Sequence, residues 1–235
     1  MTALPTPASV MSYEAYLVDT ETTDKKDGEC IELACYALTP SCELGEGFAL
    51  RYKPSKPMAW GAMATHHILP HELEACPPHT QARKDLPAMT YMVGHNIDFD
   101  WKVLGEPPVK RICTLALARY VWPKLDSHSL SAVLYYVSQD KEGAREMLRG
   151  AHSAHVDVHI NQIVLRHIIE QTKVKNIQEL WELSELARIP TVMPFGKYRD
   201  EPISRVDKGY ALWYSKQPDT DPYILIAFRK AGLLK

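Results

Sequence analysis

The 235-residue sequence predicts an α/β fold in which a mixed sheet is flanked by helices. Three apolar segments in the first quarter of the chain are separated only by short polar turns, which is typical of successive antiparallel strands. From about residue 90 onward, short apolar segments alternate with helical patterns of apolar residues. The first three strands are therefore expected to be antiparallel, and later strands to join them through helices.

The first strand is predicted at Tyr16-Leu17-Val18, which leads into Asp19. The second is CIELACYAL from Cys30 and the third is GFALRYKP from Gly47. The segment at 59–75 then shows helical apolar spacing that is broken at Pro70, because proline cannot continue a helix.

The next apolar segment, AMTYMVGHN, is predicted to be a buried strand that ends at Gly94. Asn96 is expected to cap a helix that begins near Ile97. A short strand at 111–114 enters a helix that Pro123 stops. Further helices are predicted at 130–137, 156–172 and 176–187.

Four segments of the chain are predicted to differ in organisation. Residues 1–12 form a flexible leader, 13–174 the main domain, 175–193 a helical linker and 194–235 a small basic-aromatic module. The aromatic and basic residues of this module allow two interpretations. Phe195, Tyr198, Trp213 and Tyr214 could stack on nucleic-acid bases, or they could form a small core covered by lysine side chains.

Composition narrows the class of protein. The chain is 46% hydrophobic and 24% charged, as in an ordinary folded soluble domain, and its net charge of -2 excludes a globally basic nucleic-acid coat protein. The five cysteines include no CxxC pair, which favours reduced thiols in the cytoplasm. No apolar run reaches the roughly 18 residues of a membrane span, and the N-terminus has no apolar signal core.

Three short segments carry the candidate catalytic residues. Asp19 and Glu21 are two apart on a strand, so they share a face, and two buried carboxylates there favour a divalent cation between them. In NIDFD only one of Asp98 and Asp100 can face such a site, because they lie about 200° apart around a helix. His152 and Asp157 can converge only if the histidine lies on a loop before the helix.

Each segment alone also has a structural explanation. DTE could be a strand that ends in solvated acids, and Asp98 could be a first-turn acid favoured by the helix dipole. The histidine could belong to a surface cluster with His155 and His159.

The order of these motifs resembles that of the DEDDh group of 3′–5′ exonucleases over residues 14–170. DxE lies on the first strand, NxxFD follows a buried strand, and HxxxxD opens a late helix. KPSKPMAWGAMATHHI and RICTLALARYVWP are similar to other segments of the group, and the tail FGKYRDEPIS is similar to the FGKYRG module of exodeoxyribonuclease X-like proteins. The resemblance implies a ribonuclease H-like exonuclease fold and hydrolysis of DNA from its 3′ ends, single-stranded or frayed duplex, to release 5′-mononucleotides.

The resemblance also implies roles for individual residues. Two Mg²⁺ ions, for which Mn²⁺ can substitute, would be held by four carboxylates, and His152 would be the general base. The terminal nucleotide would be bound by a further set of residues. The metal ligands are Asp19, Glu21, Asp100 and Asp157, and the substrate-binding set is Thr20, Thr22, His66, Ile68 and Asn96.

Two departures from the family pattern are visible. Asp24, within the polar insert DKKDGE, follows DTETT where the family usually has glycine. Asp200 stands where FGKYRG has its final glycine. The first affects the rim of the site and the second affects a turn in the C-terminal module.

Three other functions remain open at this point. An RNA 3′-end-trimming exoribonuclease of the same superfamily would use the same five residues, so RNA is a possible second substrate. A non-catalytic nucleic-acid-binding or polymerase-associated adaptor is the alternative outside enzymes. A structural zinc site could be formed by His67, His71, Cys76 and His79.

Overall fold

The computed structural model describes residues 13–235, and the predicted leader at 1–12 lies outside the described residues. Two compact units divide the chain, one extending to Glu182 and the other comprising Leu183–Lys235. The helix over Ile177–Ala187, which was predicted as part of a linker, contains the boundary between them.

The first unit is built on a five-stranded mixed sheet with the strand order β3-β2-β1-β4-β5. β1 pairs antiparallel with β2, and β2 with β3, while β4 joins β1 and β5 joins β4 in parallel. The predicted mixed sheet, with its first three strands antiparallel, is therefore confirmed. The bounds are β1 Ala15–Thr22, β2 Cys30–Leu38, β3 Leu44–Arg51, β4 Tyr91–Gly94 and β5 Lys110–Cys113.

Helices of the first unit follow the strands in the predicted order, with two additions at 82–85 and 141–148. The bounds are α1 Trp60–His66, α2 Ala82–Asp85, α3 Asp98–Val103, α4 Thr114–Val121, α5 Leu130–Val137, α6 Lys141–Leu148, α7 Ala154–Thr172 and α8 Ile177–Ala187. Asp140 is the N-cap residue of α6, and its carboxylate accepts hydrogen bonds from the backbone N–H groups of Glu142 and Gly143.

The longest helix, α7, packs on β1 and β2, because it presents apolar residues at helical spacing. Val158, Val164, Leu165 and Ile168 are all fully buried. Asn161 is the polar exception on this face, and its side-chain oxygen accepts a hydrogen bond from the Thr114 hydroxyl at 2.7 Å. This contact satisfies a polar atom that would otherwise be buried without a partner.

Two local predictions are corrected by the structure. Asn96 does not cap α3 through its side chain, since Ile97 is the N-cap residue and makes no side-chain capping bond. Asn96 instead takes the left-handed conformation with φ 68°, which asparagine tolerates better than most residues. The helix predicted at 59–75 ends at His66, and a separate 3₁₀ turn begins at Pro70.

The second unit contains two 3₁₀ turns and the helices α9 (Lys208–Tyr214) and α10 (Pro222–Lys230). It has an apolar core of its own, made by Met193, Ile203, Val206, Ala211, Tyr214, Ile224, Ala227 and Phe228. The interpretation as a small core therefore fits some of its aromatic side chains, and the interpretation as a stacking surface fits others. Tyr214 and Phe228 are buried in the core, whereas Phe195 and Trp213 are 44% and 55% exposed.

All five cysteines are free thiols, as the sequence predicted. Cys30, Cys35 and Cys113 are buried, whereas Cys42 and Cys76 are partly exposed. No helix in residues 13–235 combines the length and apolar character needed to cross a bilayer.

Candidate active site

Three of the predicted metal ligands meet at one end of the central strand. Asp19 and Glu21 project from β1, and Asp157 lies in the first turn of α7. One carboxylate oxygen from each lies within 4.8 Å of the other two. β1 supplies two ligands because residues two apart share a face, and the packing of α7 on β1 brings the third.

The fourth predicted ligand, Asp100, reaches the site from the buried face of α3. Its Oδ1 accepts two hydrogen bonds from Thr20, one from the backbone N–H at 2.9 Å and one from the hydroxyl at 2.7 Å. Asp98 faces away and forms an ion pair with Arg111. Only one of these two aspartates therefore faces the site, as helix geometry predicted.

The four carboxylates lie close together, with Asp100 buried and the other three partly buried, and this arrangement raises the pKa of each. Burial is the largest cause for all of them. The negative charges of Asp100, Asp157 and Glu21 also raise the pKa of Asp19 well above its usual range. The pKa of Glu21 is raised to about 9 and that of Asp100 to about 7. So many buried like charges are costly unless cations offset them.

This donor set fits a divalent metal centre. Carboxylate oxygens are the ligands that Mg²⁺ and Mn²⁺ prefer in proteins. Neighbouring carboxylates that raise one another's pKa have a negative charge that divalent cations would neutralise.

His152 lies on the loop immediately before α7, as its spacing from Asp157 predicted. Its backbone N–H is 3.3 Å from Oδ2 of Asp157, and its φ of 64° is in the left-handed region. The imidazole is exposed at the end of the loop, and its positive charge lowers the pKa of Asp157 against the effect of burial. The loop therefore places His152 next to Asp157 with its side chain exposed to solvent.

One residue beside the site was missed by sequence reasoning. Glu32, directly opposite Glu21 in the β1–β2 register, is 5% exposed. Its Oε2 accepts a hydrogen bond from the backbone N–H of Ala154 at 2.8 Å, and the Ser153 hydroxyl lies 3.3 Å away. Its Oε1 accepts from Nε of Arg51 at 2.9 Å. The available signal was a lone acid inside the apolar strand CIELACYAL.

The predicted substrate-binding residues are found at the edge of the same region. Thr20 and Thr22 are buried on β1, while Asn96 is exposed before α3. Nδ1 of His66 accepts a hydrogen bond from the backbone N–H of Ile68 at 3.0 Å, and burial lowers the pKa of His66. The Ile68 side chain packs in an apolar cluster with Ile31 and Leu73. Contacts between these residues and a nucleotide stay a prediction.

Three basic residues of the first unit that could in principle contact phosphates are engaged within the protein. Arg51 pairs with Glu32 and Glu72. Arg111 pairs with Asp98 and lies 4.0 Å above the Trp101 ring. Nζ of Lys110 donates to Gln178 at 2.9 Å and lies 4.4 Å from the centre of the Trp181 ring. These three cations therefore serve structural contacts.

The suggested zinc ligands are not assembled. His67, His71, Cys76 and His79 do not bring three ligand atoms within 4.8 Å of one another. Nε2 of His79 instead lies 3.5 Å from Glu29. His155 and His159, the neighbours of His152 in sequence, stack on each other and on Tyr36.

No protein-family model matches the chain. A curated relative, exodeoxyribonuclease 10 of Escherichia coli strain K12, is 27% identical over 209 residues, which cover 87% of this chain and 91% of the relative. The first unit contains only 182 residues, so an alignment of this length extends into the second unit.

Solved exonuclease structures share the fold of this chain. A structure of exonuclease X in complex with 5′ overhanging duplex DNA is 25% identical, with a TM-score of 0.61, and the match covers 72% of this chain and 99% of that one. A structure of E. coli exonuclease I with a dA16 oligonucleotide has a TM-score of 0.57 at 15% identity, covering 77% and 46%. The predicted resemblance to DEDDh exonucleases and the ribonuclease H-like exonuclease fold are confirmed.

Proposed function

We propose that this protein is a metal-dependent 3′–5′ exonuclease that hydrolyses the terminal phosphodiester of DNA and releases 5′-mononucleotides. One observation carries the proposal. Asp19 and Glu21 of β1 and the sequence-distant Asp157 place ligand atoms within 4.8 Å of one another, with Asp100 and His152 beside them. The similarity to exodeoxyribonuclease 10 and to an exonuclease X–DNA complex supports DNA as the substrate.

The four aspartate and glutamate side chains would hold two divalent cations, with Mg²⁺ as the expected ion and Mn²⁺ as a substitute. When bound, such ions polarise a phosphodiester, lower the pKa of water and stabilise a leaving oxygen. Thr20 fixes Asp100 through two hydrogen bonds, and β1 fixes Asp19 and Glu21. The chain would therefore supply a rigid set of anionic ligands for the cations, and the phosphate would bind through the cations.

His152 would take the proton of the attacking water. An imidazole has a pKa near neutrality, so it can accept this proton at physiological pH. General-base catalysis of this kind contributes roughly 10²- to 10⁴-fold in rate. The exposed loop position of His152 leaves its ring accessible to water, whereas His155 and His159 are stacked on Tyr36.

The test is hydrolysis of end-labelled single-stranded DNA by purified wild type, Asp19→Asn and His152→Ala. With Mg²⁺ the wild type should shorten the strand from its 3′ end one nucleotide at a time, and chelator should stop it. Asp19→Asn should lose activity by about 10³-fold or more, and His152→Ala by roughly 10²- to 10⁴-fold. Glu170→Gln, at an exposed residue, and His167→Ala, at a partly exposed one, lie on the same helix as Asp157 and should act like wild type.

Substitution at Asp19 or His152 without loss of activity would refute the mechanism. Matched RNA and 5′-labelled duplex substrates complete the assay. Faster trimming of RNA than of DNA would show that RNA is the preferred substrate, without contradicting the roles of the catalytic residues. Absence of hydrolysis of every substrate would favour the adaptor function.

A further inference from the structure

The second unit carries a row of aromatic rings at the surface of its core, in which Tyr198 and Tyr210 pack against the core and Trp213 and Phe195 are exposed. Trp213 lies 5.4 Å from Tyr210, and Tyr210 lies 5.0 Å from Tyr198, measured between ring centres. Nζ of Lys197 is 5.2 Å from the centre of the Tyr198 ring. Trp213 is 55% exposed, and the neighbouring Phe195 is 44% exposed. We call the four aromatic residues Phe195, Tyr198, Tyr210 and Trp213, together with Lys197, the aromatic row.

The backbone conformation at Gly196 and the N-cap at Asp207 help to position the rings of the aromatic row. Gly196 has φ 75°, and a Cβ atom at this position would lie 2.8 Å from the Tyr210 hydroxyl. Glycine is therefore required there both for the left-handed conformation and for the close approach of Tyr210. Tyr210 also follows the N-cap Asp207, which accepts a hydrogen bond from its backbone N–H at 3.1 Å. The rings consequently lie on a preformed surface.

The second unit differs from the rest of the chain in the sign of its net charge. Residues 183–235 contain nine Lys and Arg against six Asp and Glu, a net charge of +3, whereas the whole chain carries -2. The remaining residues therefore carry -5. Lys197 and Lys208 are exposed within the segment that bears the row. A positive unit with exposed rings is complementary to a strand whose phosphates are negative and whose bases are unpaired.

We propose that the aromatic row is a stacking platform for single-stranded DNA outside the active site. Bases would stack on Trp213 and on the rings beside it, and Lys197 and Lys208 would neutralise phosphates. Because stacking uses the face that all bases share, binding would be independent of sequence. The proposal takes the identity of its ligand, DNA, from the proposed function.

The structure also argues against a purely structural role for the two exposed rings of the row, Trp213 and Phe195. The core of the unit is complete without Trp213 and Phe195, since its buried aromatic residues are Tyr214 and Phe228. An exposed tryptophan beside an exposed Leu212 contributes little to folding where it stands.

The test is the binding of the full-length protein to a 5′-fluorescein-labelled dT30 oligonucleotide, measured by fluorescence anisotropy in chelator. Without divalent ions the strand is not cut, so binding is measured whether or not the protein is an exonuclease. Trp213→Ala should weaken binding about tenfold. Trp213→Phe, which keeps an aromatic face, should bind within about threefold of wild type. Leu212→Ala removes an exposed apolar side chain from the same helix and should bind like wild type.

A second variant tests the charges. Lys197→Gln/Lys208→Gln should reduce the slope of log affinity against log salt by about 1.4, because each phosphate contact on a single strand contributes about 0.7. Thermal melting of each variant should match that of wild type.

The proposal is overturned if Trp213→Ala binds dT30 like wild type, in which case the row is available to a protein partner instead. It is also overturned if Leu212→Ala and Trp213→Ala weaken binding equally, because the loss would then be a general effect on the helix. An active exonuclease with unchanged Trp213→Ala binding would leave the proposed function standing and remove only this inference.

Discussion

At the residue scale, Asp100 illustrates how the site holds buried negative charge. Two hydrogen bonds from Thr20 lower the pKa of Asp100, and burial raises it more strongly, so that it reaches about 7. Glu21 has no such donors among the causes that act on it, and its pKa is raised to about 9. Without bound cations, these carboxyl groups therefore ionise only at a higher pH than free carboxyl groups do.

The raised pKa values predict that the stability of the metal-free protein falls as pH rises. A carboxyl group whose pKa is higher in the folded than in the unfolded chain favours folding below its unfolded pKa of about 4, and this contribution is lost as pH rises through the folded pKa. For Asp100 and Glu21 that window runs from about pH 4 to pH 9. In chelator, the melting temperature should therefore fall between pH 5.5 and pH 8.5.

Differential scanning calorimetry at these two pH values would measure the effect. Asp19→Asn removes one of the interacting charges, so its melting temperature should fall less over the same interval. Mg²⁺ should raise the melting temperature most at pH 8.5, where the carboxylates are ionised. Glu170→Gln, which is exposed, should retain the wild-type slope. An equal slope in Asp19→Asn and wild type would show that the carboxylates are not responsible.

Glu32 acts on the site through its contacts with the start of α7. It joins the backbone N–H of Ala154 and the Ser153 hydroxyl to Arg51, which also pairs with Glu72. Ser153 and Ala154, which Glu32 contacts, directly follow His152 in the sequence. Glu32 is thus a positioning residue for the loop that carries His152.

Glu32→Gln should lower kcat by about 10- to 100-fold, the range typical for residues that orient metal ligands. Glutamine has one acceptor oxygen, so it cannot serve both Ala154 and Arg51. The KM for single-stranded DNA should change little, because Glu32 is buried and does not face the substrate. Glu72→Gln is the matched control, since Glu72 also pairs with Arg51 but lies away from α7. Steady-state kinetics of both variants would separate the two roles, and a loss confined to KM would contradict positioning.

At the element scale, the site depends on β1, α3 and α7, and the sequence predicted each of them. β1 and α7 have strong apolar periodicity, so their types were clear. α6 was missed because its sequence, KEGAREML, is mostly polar and contains a glycine. The missing cap at Asn96 was not predictable either, since asparagine suits both a cap and the left-handed position that it occupies here.

The turn after FGKYR explains one departure from the family motif. Asp200 has φ 66°, a conformation that glycine adopts freely and that aspartate adopts with little strain. Its backbone N–H donates to the carbonyl of Met193 at 2.8 Å, and Met193 in turn donates to Glu201 at 2.9 Å. The turn geometry is therefore compatible with aspartate in place of glycine.

Substitutions at Asp200 should follow this conformational preference. Asp200→Val should lower the free energy of unfolding by about 1–2 kcal/mol, because a β-branched residue is strained in the left-handed region. Asp200→Gly should leave it unchanged or raise it by up to about 1 kcal/mol. Denaturant unfolding followed by hydrogen exchange in residues 183–235 would measure both. Equal stability of the valine and glycine variants would contradict the assigned turn.

At the scale of the whole molecule, each of the two units has its own apolar core. The second has only 53 residues, and a core of that size gives marginal stability. Composition alone did not place the boundary, because α8 runs through it without a break in its apolar pattern. Neither could composition show which aromatic residues are buried, since burial depends on how α9 and α10 pack.

Phe228→Ala should therefore destabilise the second unit selectively. Removing a fully buried phenylalanine costs about 3–5 kcal/mol, which is a large part of the stability of such a unit. Hydrogen exchange should show lost protection in residues 183–235, while β1 and α7 keep theirs. Phe195→Ala, at an exposed phenylalanine of the same unit, should have little effect. Equal loss of protection throughout the chain would mean that the units unfold together.

The distribution of the free thiols has a practical consequence for labelling. Burial raises the pKa of Cys30 and Cys35, so these side chains resist alkylation in the folded state. Cys42 also has a raised pKa, whereas Cys76 is partly exposed on the surface of the first unit. A maleimide dye should therefore attach preferentially at Cys76, which provides a single fluorophore position without engineering the chain.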